Sequence, residues 1–277
     1  MDRIAIISDI HGNLEALKTV LQDIKLRGIE KIYCLGDIVA KGCNSEECVK
    51  LIRENCEIVI RGNCDRNMSH VRDLSNETEL ERTRINWNQN RLSKESMDYL
   101  QNLPFCHEFY MSGSLVRMFH ASPVKDNEVV INRDVCSKLY EMFLPSDKTE
   151  TKNIADIVIF GHLHHGFLEK IYNKTLINVG SVGNSFDPIR DDKRDSSEME
   201  VTQAFYVVIE GEIGSKEYKP FSYQFVRVPY DIDKELESNY DNLEIENYTF
   251  ELKHGRYRDM KKINDNFERL GIDLNKL

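Results

Sequence analysis

The first quarter of the chain repeats one pattern: a short apolar run, a polar turn, and then a segment with apolar residues at helical spacing. The apolar runs at 4–8, 32–35 and 58–60 are typical of strands buried on both faces. One helical face after the first run is formed by Leu14, Leu17, Val20, Leu21 and Ile24. Asn44 and Glu47 resemble a capping pair before the second helical segment. The pattern predicts a β-α-β-α-β unit with polar residues at the carboxyl ends of parallel strands.

The pattern changes in the middle of the chain. Residues 70–103 have helical spacing with a break near Ser93, and they predict a helical insertion. From Phe105 the apolar residues recur with period two, which predicts strands and hairpins. The predicted strands lie at 115–119, 157–160, 176–179, 205–209 and 223–228, the last two forming a closing pair. We therefore expect one domain over residues 1–230, with the insertion at about 70–103.

Two later segments are dominated by charge or by one apolar face. Residues 187–200 are densely charged and predict an exposed loop. Residues 231–277 predict a helical tail packed on the same domain, and its role stays open. One amphipathic helix of this tail has an apolar side formed by Met260, Ile263, Phe267 and Leu270.

Composition narrows the class of protein. The chain has a formal net charge of −10 and no long run of Lys or Arg, which disfavours duplex-DNA binding. Its amino terminus has neither a signal-peptide layout nor a run long enough to span a membrane. The seven cysteines contain no CxxC pair, which indicates reduced thiols and a cytoplasmic location. We expect no membrane association, and the oligomeric state stays open.

Polar side chains with metal-ligand chemistry follow most of the predicted strands. They are Asp9, His11, Asp37, Asn63, His120, His162 and His164. Carboxylate, imidazole and amide ligands suit divalent transition metals, and the scarcity of cysteine in the motifs disfavours a closed structural zinc site. Seven candidates exceed the needs of one ion, so the sequence predicts two ions that share a carboxylate, an arrangement typical of in-line displacement at phosphorus.

These motifs resemble those of the calcineurin-like metallophosphoesterase superfamily, and most of all its compact bacterial and archaeal phosphodiesterase branch. The resemblance covers roughly residues 1–230. It implies an α/β fold, a four-layer α/β/β/α sandwich with two mixed sheets flanked by helices. It also implies a first metal held by Asp9, His11, Asp37 and His164, and a second held by Asp37, Asn63, His120 and His162. Two Mn²⁺ ions are the expected cofactors, with Fe, Zn, Ni or Co as alternatives.

The resemblance further implies phosphodiester hydrolysis, in which a metal-bridging hydroxide attacks phosphorus in line. We expect a small phosphorylated substrate, a phosphodiester or nucleotide. Asp37, Asn63, His120 and Cys64 are the expected catalytic residues. Cys64 stands where many members carry His. A thiol is a weaker acid than imidazolium, so we expect either substrates with good leaving groups or another acid, such as His165 or His70.

Contacts with the substrate are predicted from residues close to the motifs. Arg66 and Arg190 could bind a phosphate, although surface salt bridges explain them equally well. His165 and Asn184 are further candidates. Three other functions stay open: a serine/threonine protein phosphatase, a dinucleoside polyphosphate hydrolase, and a binding module with weak or lost catalysis, as in the retromer subunit of this superfamily.

Overall fold

A computed structural model describes residues 1–70, 73–75, 77–132, 134–186 and 202–256 of the chain. Three features predicted from the sequence lie outside these residues: Arg190, the charged segment 187–200, and the amphipathic helix with Met260, Ile263, Phe267 and Leu270.

The first sheet contains the predicted parallel unit. Within the described residues its five strands are β1 (Asp2–Ile7), β2 (Lys31–Cys34), β3 (Ile58–Val59), β9 (Ala204–Gly211) and β10 (Ser222–Val228). They lie in the order β10-β9-β1-β2-β3, with β1, β2 and β3 parallel and β9 antiparallel to both β1 and β10. Helices α1 (Leu14–Leu26) and α2 (Ser45–Asn55) connect the parallel strands. The predicted β-α-β-α-β unit and the closing strand pair are both confirmed.

The second sheet is also mixed. Within the described residues its five strands are β4 (Cys106–Met111), β5 (Ser114–Phe119), β6 (Ile157–Phe160), β7 (Gly166–Ile171) and β8 (Lys174–Val179). They lie in the order β4-β5-β6-β8-β7, with β5, β6 and β8 parallel and the two edge strands antiparallel.

Alternate residues of β1 explain why helices and sheets form four layers. Ile4 and Ile6 belong to the apolar core between the two sheets. Ala5 and Ile7 lie in a separate core, which includes the buried residues of α1 and α2. The outer face of the second sheet packs on α6 (Cys136–Glu141) in a third core. The result is two mixed sheets flanked by helices, as the resemblance implied.

The predicted insertion is helical in part. It contains α4 (Glu79–Gln89) and α5 (Lys94–Gln101), and it follows the short α3 (Asn63–Ser69). The break near Ser93 is confirmed, because the Ser93 side chain caps α5 by accepting a hydrogen bond from the Ser96 N–H. Asn44 occupies the N-cap position of α2, as predicted, but its side chain makes no cap hydrogen bond and instead donates to Ser238 Oγ.

The tail contains α7 (Ile232–Glu237) and α8 (Ile245–His254), which pack on the rest of the molecule. Two ion pairs join the tail to α4 and to the turn that follows it. Arg84 donates to both carboxylate oxygens of Glu244, and Arg91 bonds Asp241. Among the described residues, no helix combines the length and the apolar character that crossing a bilayer requires.

Candidate metal centre

The fold brings the predicted ligands to one edge of the two sheets. Asp9 and His11 follow β1, Asp37 follows β2, and Asn63 begins α3 after β3. The second sheet contributes His120 after β5, and His162 and His164 after β6. All of these strands are parallel within their sheets, so their carboxyl ends meet at the same edge. The structure therefore brings together all seven side chains named from the sequence.

One group of ligand atoms forms around Asp9. Its Oδ1 lies 3.3 Å from His164 Nε2 and 3.8 Å from His11 Nε2, and the two imidazole nitrogens are 3.0 Å apart. Asp9 Oδ1 is buried, and none of the described residues gives it a hydrogen bond. A buried carboxylate oxygen without a hydrogen bond carries a desolvation cost that a cation among these atoms would offset.

A second group forms around Asp37. Its Oδ2 lies 3.4 Å from His120 Nε2. One end of the Asn63 carboxamide lies 3.2 Å from His120 Nε2 and 3.0 Å from His162 Nδ1. With nitrogen at that end the amide donates to both rings, whereas with oxygen at that end it offers a ligand to a cation lying between them. These oxygen and nitrogen donors fit a divalent transition metal.

Asp37 joins the two groups through a single oxygen. The same Oδ2 that faces His120 also lies 3.6 Å from His11 Nε2. The other oxygen, Oδ1, accepts a hydrogen bond of 2.7 Å from the Cys64 backbone N–H. One carboxylate oxygen is thus committed to the backbone, and only Oδ2 lies between the two groups.

Backbone carbonyl groups fix the tautomers of three histidines. Each ring donates its Nδ1–H to a backbone carbonyl oxygen. His11 donates to Val39, His120 to Leu35, and His164 to Asn184. A carbonyl oxygen can only accept, so Nδ1 carries a proton in each ring and Nε2 is the nitrogen that faces the centre. Such outer contacts orient metal-binding imidazoles and make them better ligands.

Charge inside the centre sets the pKa values of its groups. Burial opposes ionisation of Asp9 and Asp37, but the adjacent histidines outweigh burial and hold both carboxyl pKa values below their usual range. Burial disfavours protonated His120, yet the Asp37 carboxylate prevails and raises its pKa to about 10. Burial and His120 lower the pKa of His162 to about 4. The site thus holds two carboxylates in their ionised, metal-binding form.

The backbone at five of the seven ligands is left-handed. Positive φ values between 51° and 67° occur at Asp9, His11, Asp37, His162 and His164. Residues with a Cβ atom rarely adopt this region, because the Cβ atom crowds the following carbonyl oxygen. Strained conformations of this kind cluster at functional sites, where the surrounding structure holds them.

Asp65 supports the centre and was missed as a functional residue. Its fully buried carboxylate accepts hydrogen bonds from the backbone N–H groups of Asp37, Ile38, Val39 and Gly62. It therefore holds the turn that carries Asp37 against the start of α3. Burial and the Asp37 carboxylate raise the pKa of Asp65 to about 6. Its position three residues after the N-cap Gly62, where an acidic side chain accepts from the N-cap N–H, was the available signal.

Cys64 lies beside the candidate ligands, and its surroundings disfavour a thiolate. Its sulfur belongs to a group of possible ligand atoms with His11 and Asp37. Burial and the Asp37 carboxylate raise the pKa of the thiol well above its usual value. A neutral thiol is a poor nucleophile. His165 follows His164 and its ring lies near Phe167, whereas His70 is exposed at the end of α3.

Two of the predicted substrate contacts have other partners. Arg66 makes a bidentate ion pair with Asp126, with nitrogen–oxygen distances of 2.7 and 3.1 Å. Asn184 is fully buried, and its side chain donates to Glu251. The sequence-based role of Asn184 as a substrate contact is therefore corrected. Its backbone carbonyl oxygen accepts from His164 Nδ1 and so orients that ring, and its buried side chain is inaccessible to a substrate.

Comparison with known proteins identifies the family. Residues 2–196 match the family model described as the calcineurin-like phosphoesterase superfamily domain. An uncharacterized protein of Methanocaldococcus jannaschii is 36% identical over 250 residues, which cover 84% of this chain and 90% of that protein. A solved metallophosphoesterase from Sphaerobacter thermophilus has a TM-score of 0.67 and 24% identity, with 92% of this chain and 99% of that chain covered. A hypothetical protein from Pyrococcus horikoshii OT3 has a TM-score of 0.69 and 19% identity, with the same coverage. The chain belongs to the calcineurin-like phosphoesterase superfamily.

Proposed function

We propose that this protein is a phosphodiesterase that depends on two divalent metal ions. The observation that carries the proposal is the pair of ligand groups that share Asp37 Oδ2. The first ion would be held by Asp9, His11, Asp37 and His164. The second would be held by Asp37, Asn63, His120 and His162. The mixed nitrogen and oxygen donors suit Mn²⁺, and they also accommodate Fe, Zn, Ni or Co.

The chain's own residues prepare this centre before any substrate arrives. When bound, two divalent ions lower the pKa of water and offset the charge that develops on phosphate oxygens. The carbonyl contacts of His11, His120 and His164 hold their Nε2 atoms inward, where two divalent ions would bind. The Cys64 N–H fixes the rotation of the Asp37 carboxylate. Such preorganisation avoids the cost of moving ligands during the reaction.

The balance of charge favours an anionic phosphate ester as substrate. Asp9 and Asp37 bring two negative charges against four positive charges from two divalent ions. Asp65 is a further carboxylate, but its oxygens are occupied by backbone N–H groups. The net positive charge attracts phosphate oxygens.

The neutral thiol of Cys64 favours diesters with good leaving groups. Burial and the Asp37 carboxylate raise the pKa of the Cys64 thiol, which disfavours a thiolate for attack on phosphorus. The same thiol is a weak proton donor to a leaving group. An alkoxide with a low conjugate-acid pKa departs without full protonation, whereas a poor leaving group needs an acid. His165, next to His164, is the candidate for that second acid.

Hydrolysis of two chromogenic substrates tests this proposal. The full chain is stripped of metal, reloaded with Mn²⁺, and assayed with a bis-aryl phosphodiester and an aryl phosphomonoester. We expect diester turnover that Asp37→Asn abolishes, because the variant removes the shared charged oxygen. Asp98→Asn, the same change at an exposed position of α5, serves as the matched control and leaves the rate unchanged.

Other outcomes would redirect the assignment. Preference for the monoester would contradict the diester proposal and favour a phosphatase. Two bound ions with no turnover of either ester would contradict it in favour of a polyphosphate hydrolase or a binding module. Equal turnover by wild type and Asp37→Asn would refute the shared-carboxylate centre.

A further inference from the structure

Helix α8 places a buried carboxylate behind the metal centre. Glu251 is 3% exposed, and it lies outside the segment 2–196 that matches the family model. Its Oε2 accepts a hydrogen bond of 2.6 Å from Asn184 Nδ2 and lies 3.6 Å from Lys41 Nζ. A buried carboxylate is costly unless hydrogen bonds and opposite charge offset its desolvation. Both kinds of offset come here from residues next to the proposed ligands.

The contact with Asn184 leads directly to two ligands. The Asn184 backbone carbonyl accepts a hydrogen bond of 2.7 Å from His164 Nδ1. The Asn184 backbone N–H donates to Ser181 Oγ, and that hydroxyl donates to the Asp9 carbonyl oxygen. Asn184 is therefore the point at which α8 can fix the rotation of His164 and the position of Asp9.

The contact with Lys41 concerns the charge beside the centre. Lys41 follows Asp37 by four residues, and its backbone is left-handed with φ of 64°. The next residue, Gly42, donates its backbone N–H to the His11 carbonyl oxygen at 2.9 Å, so Lys41 is held beside the proposed centre. A positive charge beside the centre disfavours a metal cation there. The Glu251 carboxylate offsets that charge.

The tail also holds the backbone around Lys41. Asn242 Nδ2 donates to the Lys41 carbonyl oxygen at 2.7 Å, and Asn239 Oδ1 accepts from the Cys43 N–H at 2.7 Å. These contacts come from the segment between α7 and α8, and they fix the loop between β2 and α2. The side-chain contact of Glu251 is thus one part of a continuous interface between the tail and the loop that follows Asp37.

We propose that Glu251 is a positioning residue for the metal centre, holding His164 through Asn184 and offsetting the charge of Lys41. This inference rests on the proposed two-metal function. It gives the tail a specific role, because α8 lies outside the matched segment 2–196 and contacts Asn184 at this edge. Removal of such support from metal ligands typically weakens metal binding by about 10- to 100-fold.

Titration calorimetry with Mn²⁺ on the metal-free full chain tests the proposal without any measurement of turnover. Glu251→Ala removes both contacts, and we expect it to weaken at least one Mn²⁺ site by about tenfold or more. Glu251→Gln keeps the shape and an oxygen for Asn184 but loses the charge. It stays informative if Glu251→Ala does not fold. Glu246→Gln, at an exposed position of the same helix, is the matched control.

A second substitution separates the charge effect from a general loss of structure. If Glu251 acts through Lys41, the double variant Lys41→Met/Glu251→Gln recovers the Mn²⁺ affinity that Glu251→Gln loses. A purely structural role would lower the unfolding temperature without this recovery. Failure to recover would overturn the Lys41 part of the proposal.

Two results distinguish failure of this inference from failure of the proposed function. Wild-type protein that binds two Mn²⁺ ions, with both Glu251 variants within about twofold of its affinity, would overturn the positioning role alone. Wild-type protein that binds no Mn²⁺ would refute the metal centre, and this inference with it.

Discussion

Glu235 of α7 makes the stability of the tail depend on pH in the neutral range. The residue is fully buried and receives hydrogen bonds from the Glu15 N–H, Asn239 Nδ2 and the Tyr248 hydroxyl. Lys234, its neighbour in the chain, pairs with Glu15 and not with Glu235. Burial therefore outweighs the hydrogen bonds and raises the pKa of Glu235 from 4.5 to about 7.

The shift fixes both the direction and the size of the effect. Because the folded-state pKa lies above the unfolded value, this contribution to stability is fully present below pH 4.5 and is lost as the pH rises through about 7. A difference of roughly 2.5 pKa units corresponds to about 3 kcal/mol in the free energy of unfolding. Most of it, about 2–3 kcal/mol, falls between about pH 5 and pH 8.

Urea unfolding of wild type and Glu235→Gln measures this contribution. The comparison is made in chelator at about pH 5, 6.5 and 8, so that metal binding is removed and the titration of other groups cancels. We expect the free energy of unfolding of the variant, relative to wild type, to rise by about 2–3 kcal/mol from acid to alkaline pH. Glu246→Gln should give a flat difference. A constant difference for Glu235→Gln across this range would refute the reasoning.

Two further predictions concern the support of the centre and its acid. Asp65→Asn should weaken Mn²⁺ binding at least about tenfold and destabilise the fold by about 2 kcal/mol or more, because one end of the amide faces backbone N–H donors. Calorimetry and urea unfolding would check this. The prediction is contradicted if Asp65→Asn binds Mn²⁺ as tightly as wild type and has the same free energy of unfolding as the control Asp98→Asn. Cys64→Ala should lower kcat for an activated diester by less than about tenfold, since the neutral thiol is neither nucleophile nor strong acid. Steady-state rates against the exposed control Cys136→Ala test this, and a loss above about 100-fold would show an essential thiol.

Local patterns were sufficient to predict the convergence of the ligands. An apolar run followed by Asp9 and His11 specifies both a buried strand and a polar turn at its end. Parallel pairing of β1 with β2 then brings Asp37 to the same edge. In the second sheet, the carboxyl end of β6 brings His162 to that edge. These outcomes depend on periodicity and on the rules of strand connection, which the sequence contains directly.

Contacts between distant segments could not be read in the same way. Asn44 has the composition of a helix cap, but its side chain bonds Ser238 of the tail. Asn184 follows Gly180 and Gly183 in the sequence, which gives no sign that its side chain donates to Glu251 of the tail. Asp65 accepts hydrogen bonds from backbone N–H groups, which every residue except proline has. The side chains of the residues that it supports therefore do not reveal its role. Such roles follow from tertiary packing and are absent from local propensity.

The left-handed backbone at five of the candidate ligands lowers the stability of the fold while it places side chains for the proposed metal centre. Each such residue other than glycine costs about 1–2 kcal/mol, so the five together approach the net stability of an ordinary domain. Glycine at any of them would relieve this frustration and remove a ligand in the same step. A lineage of this chain with no need for metal would therefore gain stability from glycine at these positions. The side chains found there are better explained by the proposed metal centre than by folding alone.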